Sequence, residues 1–514
     1  MNGAESLVRT LVNGGVDVCF TNPGTSEMHF VAALDKVDGM NCFLCLFEGV
    51  ASGAADGYAR MTGTPASTLL HLGPGLGNAV ANLHNAKKAN SPMVNIIGEH
   101  ATYHVEYDAP LTADIEGIAR PVSHWVKTSP SAKTVAADGA AAIAAAMMPP
   151  GQIASLILPA NTAWDEADAP AETPAAPARS KVDEKTIENM SAVLRSGEPT
   201  LLMMTGQSLY QHGLDLAGRI AATTGAKLMA QGSNQRLQRG AGIVPLNRVP
   251  YPVDQALDVL APYQNIILIG AKPPIAFFAY PNKPSELHPE GCKIHRLAEL
   301  EEDQIDALER LADAVGAKPG SAQVQAAFRP DMASGELNPE SIAAVLGNLL
   351  PEGAIISDES VTTGRGLYPL TAGAPPHDWL NNMGGSIGLG MPLATGAAVA
   401  CPDRKVICLE GDGSGMYTLQ ALWTQARYNL DVTTVVFANR AYRILQGELA
   451  NVGAENPGRK ALDMLDLSRP DLDWVKMANG MGVEATKVTD CEGLQRALTA
   501  GLASSSPYLI EVML

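Results

Sequence analysis

Short apolar runs alternate with longer segments of helical spacing along the first third of the chain. Each run has the length of a buried strand, and the segments between runs place apolar residues three or four positions apart. The predicted strands are 16–20, 41–47, 67–71 and 94–97. Regular alternation of strands and helices is typical of βαβ units, so this rhythm predicts a parallel sheet with crossover helices.

Two segments of different composition divide the rest of the chain. Residues 163–181 are rich in Ala, Pro and acids, and a second linker is predicted at about 318–337. They separate a first region (1–165), a central region (182–325) and a third region (338–514). Further strands are predicted at 200–204, 265–269, 354–357 and 405–409. The prediction is therefore an α/β protein with three doubly wound parallel-sheet domains.

Length and charge limit the function classes. A chain of 514 residues is too long for one core, and 46% hydrophobic residues are enough for several. The formal net charge of −18, from 54 acids and 36 bases, argues against a nucleic-acid partner. No run of 18 apolar residues and no signal peptide are recognised, so a cytoplasmic protein without membrane spans is expected.

The seven cysteines do not form a metal or disulfide pattern. They are scattered and odd in number, which indicates reduced thiols. Cys42 and Cys45 have the spacing of a metal pair, but they lie in a predicted apolar strand with no second pair nearby. Gly206 and Gly270 each follow a strand of the central region without a dinucleotide fingerprint, so ordinary strand ends are favoured there.

Polar residues follow two predicted strands of the third region. Asp412 ends the apolar run before it, and Asn439, 27 positions later, ends the next run. Both strand ends of a parallel βαβ unit lie at the same sheet edge, so the two side chains could share an oxygen-seeking cation such as Mg²⁺. Gly413 and Ser414 lead into a predicted helix whose first N–H groups suit a phosphate. The alternative, a simple tight turn, is less favoured once the spacing to Asn439 is included.

Three more candidates lie at strand ends of the first region. Thr25 and Ser26 could present hydroxyls to a ligand or cap the next helix. Glu48, directly after a predicted strand, could hold or pass a proton, or could interact with a helix dipole. His71 stands before three glycines that allow close approach of a ligand, although a structural histidine is the alternative.

The combined motifs resemble a known family, the thiamine diphosphate-dependent 2-oxo acid decarboxylases and acetohydroxyacid synthases. Benzoylformate decarboxylase and acetolactate synthase-like chains are the most similar members. The motifs that carry the resemblance are NPGTSE (22–27), FEGVASGAADGYAR (47–60), HLGPGLGN (71–78), NMGGSIGLGMPLATGAA (382–398) and GDGS (411–414) with Asn439. They come from the first and third regions, so the resemblance extends along the chain.

The resemblance implies a role for each matching residue. Glu48 would bond to N1′ of the cofactor pyrimidine, and Ile387 would separate the two cofactor rings. Asp412, Asn439 and the Ala441 carbonyl would hold Mg²⁺. Other residues implied to bind the cofactor are Pro23, Asn78, Ser360, Thr362, Gly385, Gly411, Gly413, Ser414 and Tyr442.

The resemblance also implies the substrate side and the assembly. Thr25 and His71 match residues that contact the substrate and move protons. The cofactor would lie between the first region of one subunit and the third region of another, in a homodimer or homotetramer. The small residues of 53–60 suit close helix packing, which a subunit contact could supply.

Two departures from the family pattern bear on the reaction. The stretch 270–280 contains no histidine where benzoylformate decarboxylase would place a second one, and Phe277 and Phe278 stand there instead. Slow aldehyde release could then favour ligation to a second carbonyl. No FAD motif is recognised, so FAD is not expected.

The predicted function is decarboxylation of a small-molecule 2-oxo acid, ligation of the product to an aldehyde acceptor, or both. Two alternatives stay open at this point. One is a lyase acting on 2-hydroxy ketones or 2-hydroxyacyl-CoA, and the other is a non-catalytic homologue that only binds the cofactor.

Overall fold

A computed structural model describes residues 1–454 and 456–514. The first region forms a six-stranded, fully parallel sheet in the order β2-β1-β3-β4-β6-β5. Its strands are β1 (Val18–Asn22), β2 (Asn41–Leu44), β3 (Ala66–Leu70), β4 (Met93–Glu99), β5 (Trp125–Thr128) and β6 (Ile153–Pro159). Its helices are α1 (Gly3–Asn13), α2 (Met28–Lys36), α3 (Glu48–Thr62), α4 (Leu72–Ala89), α5 (Ile115–Ala119), α6 (Val135–Ala146) and α7 (Ala160–Trp164).

The central region forms a five-stranded parallel sheet in the order β10-β8-β7-β11-β12. Its strands are β7 (Thr200–Met204), β8 (Lys227–Ala230), β10 (Asn247–Arg248), β11 (Asn265–Ile269) and β12 (Lys293–Ala298). Its helices are α8 (Glu184–Arg195), α9 (Gln211–Thr224), α10 (Val253–Leu260) and α11 (Gln304–Val315).

The third region forms a seven-stranded sheet in the order β17-β18-β16-β15-β13-β14-β9. Its own strands are β13 (Ile355–Glu359), β14 (His377–Asn381), β15 (Val406–Gly411), β16 (Val432–Ala438), β17 (Glu484–Val488) and β18 (Tyr508–Met513). Its helices are α12 (Pro339–Leu349), α13 (Leu367–Leu370), α14 (Gly390–Ala400), α15 (Asp412–Gly415), α16 (Ala421–Arg427), α17 (Arg443–Asn451), α18 (Arg459–Asp463), α19 (Trp474–Gly480) and α20 (Cys491–Ala503).

The predicted fold class is confirmed, with one strand that departs from it. The seventh strand of the third sheet, β9 (Leu237–Arg239), comes from the central region and pairs antiparallel with β14. The middle strands of the first sheet, β3, β4 and β6, are buried along their whole length. Burial on both faces is what helices on both sides of a parallel sheet produce.

Helices α3 and α14 join the first and third regions at very short range. A Cβ added to Gly57 would lie 2.1 Å from the Leu393 carbonyl oxygen, and one added to Gly396 would lie 1.8 Å from the Ala54 carbonyl oxygen. The close packing predicted from the small residues of 53–60 is therefore present. Its partner is a helix of the same chain rather than of another subunit.

A buried ion pair at the end of α3 ties all three regions together. Arg60 and Asp56 form a bidentate pair at 2.6 and 2.8 Å, and both side chains are fully buried. The Arg60 guanidinium also donates to the backbone oxygens of Asn381 and Gln235. These bonds fix the relative position of the first region, the central region and β14.

Candidate active site

The residues predicted to hold a cation lie at the ends of β15 and β16. These strands are parallel neighbours, with Gly411 opposite Phe437 in the register. The Arg440 N–H donates to Asp412 Oδ2 at 2.6 Å, which places the Asn439 segment directly beside Asp412. Asp412 is almost fully buried, and desolvation raises its pKa to about 6 although the Arg440 N–H opposes the shift.

The residues next to Asp412 bring further oxygen atoms to the ends of these strands. Asn439 Oδ1 accepts from the Ala441 N–H at 3.0 Å, and the Ala441 carbonyl oxygen accepts no hydrogen bond within 1–454 and 456–514. The Tyr442 ring lies over Gly413, where an added Cβ would be 2.6 Å from the ring. A carboxylate, an amide and a carbonyl oxygen are thus grouped, which is the donor chemistry of a hard divalent cation.

The helix predicted after Gly413 is shorter than expected. It is the single turn α15, and the chain reaches α16 only at Ala421. The Ser414 hydroxyl does not stand free either, because it bonds to the buried Glu410 carboxylate. Any phosphate contact at Ser414 would therefore come from its backbone or need this bond to rearrange.

Three residues separate Glu48 from the end of the strand that it was predicted to follow directly. Strand β2 ends at Leu44, the Cys45 N–H still donates to the Thr21 carbonyl oxygen of β1 at 2.8 Å, residues 46–47 form a bend, and Glu48 is the first residue of α3. The expectation that Glu48 directly follows a strand is wrong, because β2 ends at Leu44. The helix predicted from Glu48 is present, with Phe47 as its N-cap residue. The Glu48 side chain is buried, and its Oε2 accepts from the Asn78 side chain at 2.9 Å.

His71 pairs with an acid that sequence reasoning did not single out. His71 Nδ1 lies 2.9 Å from Glu27 Oε2, and the Glu27 side chain is fully buried. Gly24 must be a glycine here, since an added Cβ would lie 2.1 Å from His71 Nδ1. Glu27 ends the NPGTSE motif, so its position in that motif was the available signal.

The first-region candidates meet around Gly75. An added Cβ at Gly75 would lie 2.8 Å from Glu48 Oε1 and 3.2 Å from His71 Cβ. His71 is the N-cap of α4, one residue after β3 ends at Leu70. The strand predicted through His71 is thus one residue too long, but its carboxyl-end position is retained.

Thr25 is exposed at the start of a short 3₁₀ turn next to Pro23, which is half-buried. The alternative in which Thr25 or Ser26 caps the next helix is wrong. The N-cap residue of α2 is Glu27, and no side chain caps that helix. The Ser26 hydroxyl instead donates to Glu27 Oε1 at 2.9 Å.

The loop that carries Gly385 and Ile387 is held by a buried carboxylate. Glu359 Oε2 accepts from three consecutive N–H groups, those of Gly388, Leu389 and Gly390, at 2.8–3.0 Å. Helix α4 holds the same loop from the other side, through Asn85 to the Ser386 carbonyl at 2.8 Å. Ile387, half-buried between these anchors, has a fixed backbone.

Glu359 faces a second buried carboxyl that sequence reasoning missed. Glu359 and Glu410 are direct register partners on β13 and β15. Burial raises the pKa of both carboxyls, and the neighbouring Glu359 raises that of Glu410 further. Glu410 directly follows the predicted strand 405–409, and Glu359 lies two residues after the predicted strand 354–357. These positions were the available signal, but the pairing required the strand order.

Two candidates border an aromatic loop of the central region. Gly385 has a φ of +78°, and an added Cβ would lie 2.7 Å from the Phe277 ring. Thr362 lines a cavity beside the central region. Ser360, by contrast, is buried and donates to Asp358 Oδ1 at 2.5 Å.

Comparison with known proteins identifies the family. Residues 1–120 match the thiamine pyrophosphate enzyme N-terminal TPP binding domain, and residues 366–512 match the C-terminal TPP binding domain. A Mycobacterium tuberculosis H37Rv protein named "Putative acetolactate synthase large subunit IlvX" is 54% identical over 100% of this chain and 99% of its own length. The chain belongs to the thiamine pyrophosphate enzyme family.

Other members are more distant. Benzoylformate decarboxylase of Pseudomonas aeruginosa PAO1 is 28% identical, over 97% of this chain and 96% of its own. The solved structure of the Rhodococcus jostii RHA1 thiamine diphosphate-dependent 4-hydroxybenzoylformate decarboxylase superposes with a TM-score of 0.87, at 24% identity, over 100% of this chain and 99% of that one. The chain is therefore a thiamine diphosphate enzyme of the acetolactate synthase and benzoylformate decarboxylase type.

Within the described residues, no helix combines the length and the hydropathy that a membrane span requires.

Proposed function

We propose that this protein uses thiamine diphosphate and Mg²⁺ to cleave a 2-oxo acid between its carboxyl and carbonyl carbons. CO₂ is released, and the remaining acyl unit is either protonated to an aldehyde or joined to an aldehyde acceptor. The observation that carries the proposal is the strand-end group of Asp412, Asn439 and Ala441.

The residues of this group fit a magnesium diphosphate. Within the described residues, the buried Asp412 carboxylate accepts from a backbone N–H and has no salt-bridge partner, so a divalent cation would supply a close counter-charge. Mg²⁺ takes a few protein oxygens and completes its shell with phosphate oxygens and water. Asp412 and Asn439 would supply side-chain oxygens, Ala441 its free carbonyl, and Gly411, Gly413, Ser414 and Tyr442 would surround the diphosphate.

When bound, thiamine diphosphate supplies a nucleophilic carbon and accepts the electron pair left by CO₂ loss. Glu48 would hold a proton at the pyrimidine, and the Asn78 amide orients that carboxyl. Ile387, fixed by the bonds of Glu359 and Asn85 on its flanks, would keep the cofactor rings in place. Gly385, Ser360 and Thr362 would line the remaining cofactor surface, with Pro23 on the side of the first region.

His71 would move a proton at the substrate. Its Nδ1 is engaged by the buried Glu27 carboxyl, so the ring is oriented and Nε2 is left to face the site. Within 1–454 and 456–514, Nε2 has no hydrogen-bond partner. Thr25, exposed nearby, would offer a hydroxyl to the same substrate.

The ligation outcome is favoured by the loop of 271–280. It holds Phe277 and Phe278, both about half exposed, and no histidine that could hasten aldehyde release. The two rings form an edge-to-face pair with centroids 4.9 Å apart. These rings form an apolar wall beside Gly385. Such a wall can bind an aldehyde acceptor, whereas it offers no group that could protonate the acyl unit.

We also propose a homodimer or homotetramer. The support is the likeness to thiamine diphosphate enzymes: Glu48 of one copy and the Asp412 group of another would hold opposite ends of one cofactor.

The experiment compares Glu48→Gln with Glu188→Gln, a matched change at an exposed residue of α8. A panel of 2-oxo acids is incubated with thiamine diphosphate and Mg²⁺, with and without aldehyde acceptors, and the products are identified by mass spectrometry. Glu48→Gln should lower turnover at least a hundredfold while cofactor affinity changes little, and Glu188→Gln should match the parent. Equal turnover by Glu48→Gln would refute the assigned role. Products from 2-hydroxy ketones or 2-hydroxyacyl-CoA alone would favour the lyase alternative.

A further inference from the structure

A cavity of about 300 Å³ lies between the central and third regions, beside the proposed cofactor site. The side chains that decide its chemistry are Tyr251, Tyr280, Lys283, Thr362, Arg365 and Arg443. Two chain segments link it to the proposed site, because Thr362 follows β13 and Arg443 directly follows Tyr442.

An aromatic path also connects the cavity to Gly385. The Tyr251 ring packs on the Phe277 ring at a centroid distance of 5.7 Å, and Phe277 lies against Gly385. A substrate whose carbonyl reacts beside Gly385 could therefore extend along these rings toward the two arginines.

The charged side chains of the cavity lining are three bases, Lys283, Arg365 and Arg443, and two acids, Asp254 and Glu448. Lys283 is paired with Asp254 at 2.7 Å. The Glu448 carboxylate is engaged by the Tyr251 hydroxyl at 3.2 Å. Arg365 and Arg443 have no acidic partner within 4.0 Å in 1–454 and 456–514.

Arg365 and Arg443 line the same cavity, so a single ligand can meet both guanidinium groups. Both arginines are exposed to solvent in the cavity wall, where a ligand can reach them. The guanidinium group presents a planar fork of N–H donors that matches carboxylate and phosphate oxygens.

We propose that Arg365 and Arg443 bind a second anionic group of the substrate, at the end far from the reacting carbonyl. The substrate is then a 2-oxo acid that carries a distal carboxylate or phosphate-type group. This inference rests on the proposed function, and it narrows the substrate from any 2-oxo acid to a dianionic one.

The first test uses 2-oxo acids of equal chain length that end in carboxylate, phosphonate or methyl. kcat/KM is measured for the parent, Arg365→Met, Arg443→Met and the control Arg9→Met, which removes an exposed arginine on α1. The parent should prefer an anionic end at least tenfold. That preference should fall at least tenfold in Arg365→Met and Arg443→Met and persist in Arg9→Met. The anionic end, carboxylate or phosphonate, whose kcat/KM falls more in Arg365→Met and Arg443→Met identifies the natural group.

The second test does not need turnover. Calorimetry of the holoenzyme compares glutarate with pentanoate, which has the same length and one charge less, in the same four proteins. Tighter binding of glutarate that is lost in Arg365→Met and Arg443→Met would support the inference even if no 2-oxo acid were cleaved. Equal binding of the two acids by the parent would overturn it. So would variants that lose thiamine diphosphate affinity while keeping the preference for an anionic end, because the arginines would then serve the cofactor.

Discussion

Replacing Gly57 or Gly396 with alanine should break the contact that joins the first and third regions. Each added Cβ would stand 2.1 Å or less from a backbone oxygen of the facing helix. Backbone atoms cannot rotate away as a flexible side chain can, so α3 and α14 would have to separate.

The expected cost follows from two opposing effects. Inserting a methyl group into a packed core costs about 1–3 kcal/mol, and backbone contact places these sites at or above the top of that range. Replacing a helical glycine with alanine returns up to about 1 kcal/mol of helix propensity. The net loss in the free energy of unfolding should be about 2–3 kcal/mol for each variant.

Gly77→Ala is the matched control. Gly77 lies inside α4, is exposed, and has nothing within 4 Å of an added Cβ. Only the helix-propensity gain applies, so this variant should be as stable as the parent or up to about 1 kcal/mol more stable.

The assay is urea unfolding of cofactor-free protein, followed by circular dichroism at several protein concentrations. Loss of stability in Gly57→Ala and Gly396→Ala but not in Gly77→Ala is expected. The reasoning would be refuted if Gly57→Ala unfolded like Gly77→Ala. It would also be refuted if Gly57→Ala changed only the subunit association measured by sedimentation, since the contact would then lie between chains.

Three further predictions concern buried ionisable side chains. Burial lowers the pKa of His377 to about 4 from its ordinary 6.5. Between these two pH values the unfolded chain binds more protons than the folded chain, so stability is lost as pH falls from 6.5 toward 4. Thermal unfolding should show a loss of up to about 3 kcal/mol over this range, and His377→Gln should make the loss smaller. Glu27→Gln should lower kcat about 10- to 100-fold and shift its pH profile, because His71 Nδ1 loses its carboxyl partner. An unchanged profile would mean that Glu27 only supports the fold. Arg60→Met should destabilise the protein by about 3–5 kcal/mol, because it leaves the Asp56 carboxylate buried without its arginine. Adding Asp56→Asn to Arg60→Met should restore part of that stability. A double variant no more stable than Arg60→Met would contradict this.

The placement of Asp412 and Asn439 at one sheet edge could be predicted from sequence because it depends on one adjacent pair of strands. Asp412 and Asn439 each follow an apolar run with one crossover between them, and such a unit places both ends at one edge. No knowledge of the remaining strand order was needed.

The two buried acid contacts could not be predicted, because they depend on strand order across longer separations. Glu359 and Glu410 face each other only because β13 and β15 are neighbours while β14 lies on the other side of β13. The Glu27–His71 pair likewise needs β1 and β3 to be adjacent. Apolar patterning identifies strands but does not give their order.

Strand β9 and the helix that faces residues 53–60 could not be predicted either, for two different reasons. Strand β9 has three residues, too few to show alternation, and its partner β14 is more than a hundred positions away. The small residues of 53–60 predicted close packing but not the identity of the facing helix. Small side chains show how near a neighbour comes, and nothing in them specifies which neighbour it is.

The most direct test of the central claim is calorimetric titration of thiamine diphosphate into the metal-free protein, with and without Mg²⁺. The parent and the control Asp258→Asn, an exposed acid on α10, should bind the cofactor at least tenfold more tightly when Mg²⁺ is present. Asp412→Asn should lose that enhancement, because the buried carboxylate that would hold the ion is gone. Equal, magnesium-independent binding by the parent and Asp412→Asn would contradict the assignment of the β15 and β16 strand ends as the cofactor anchor.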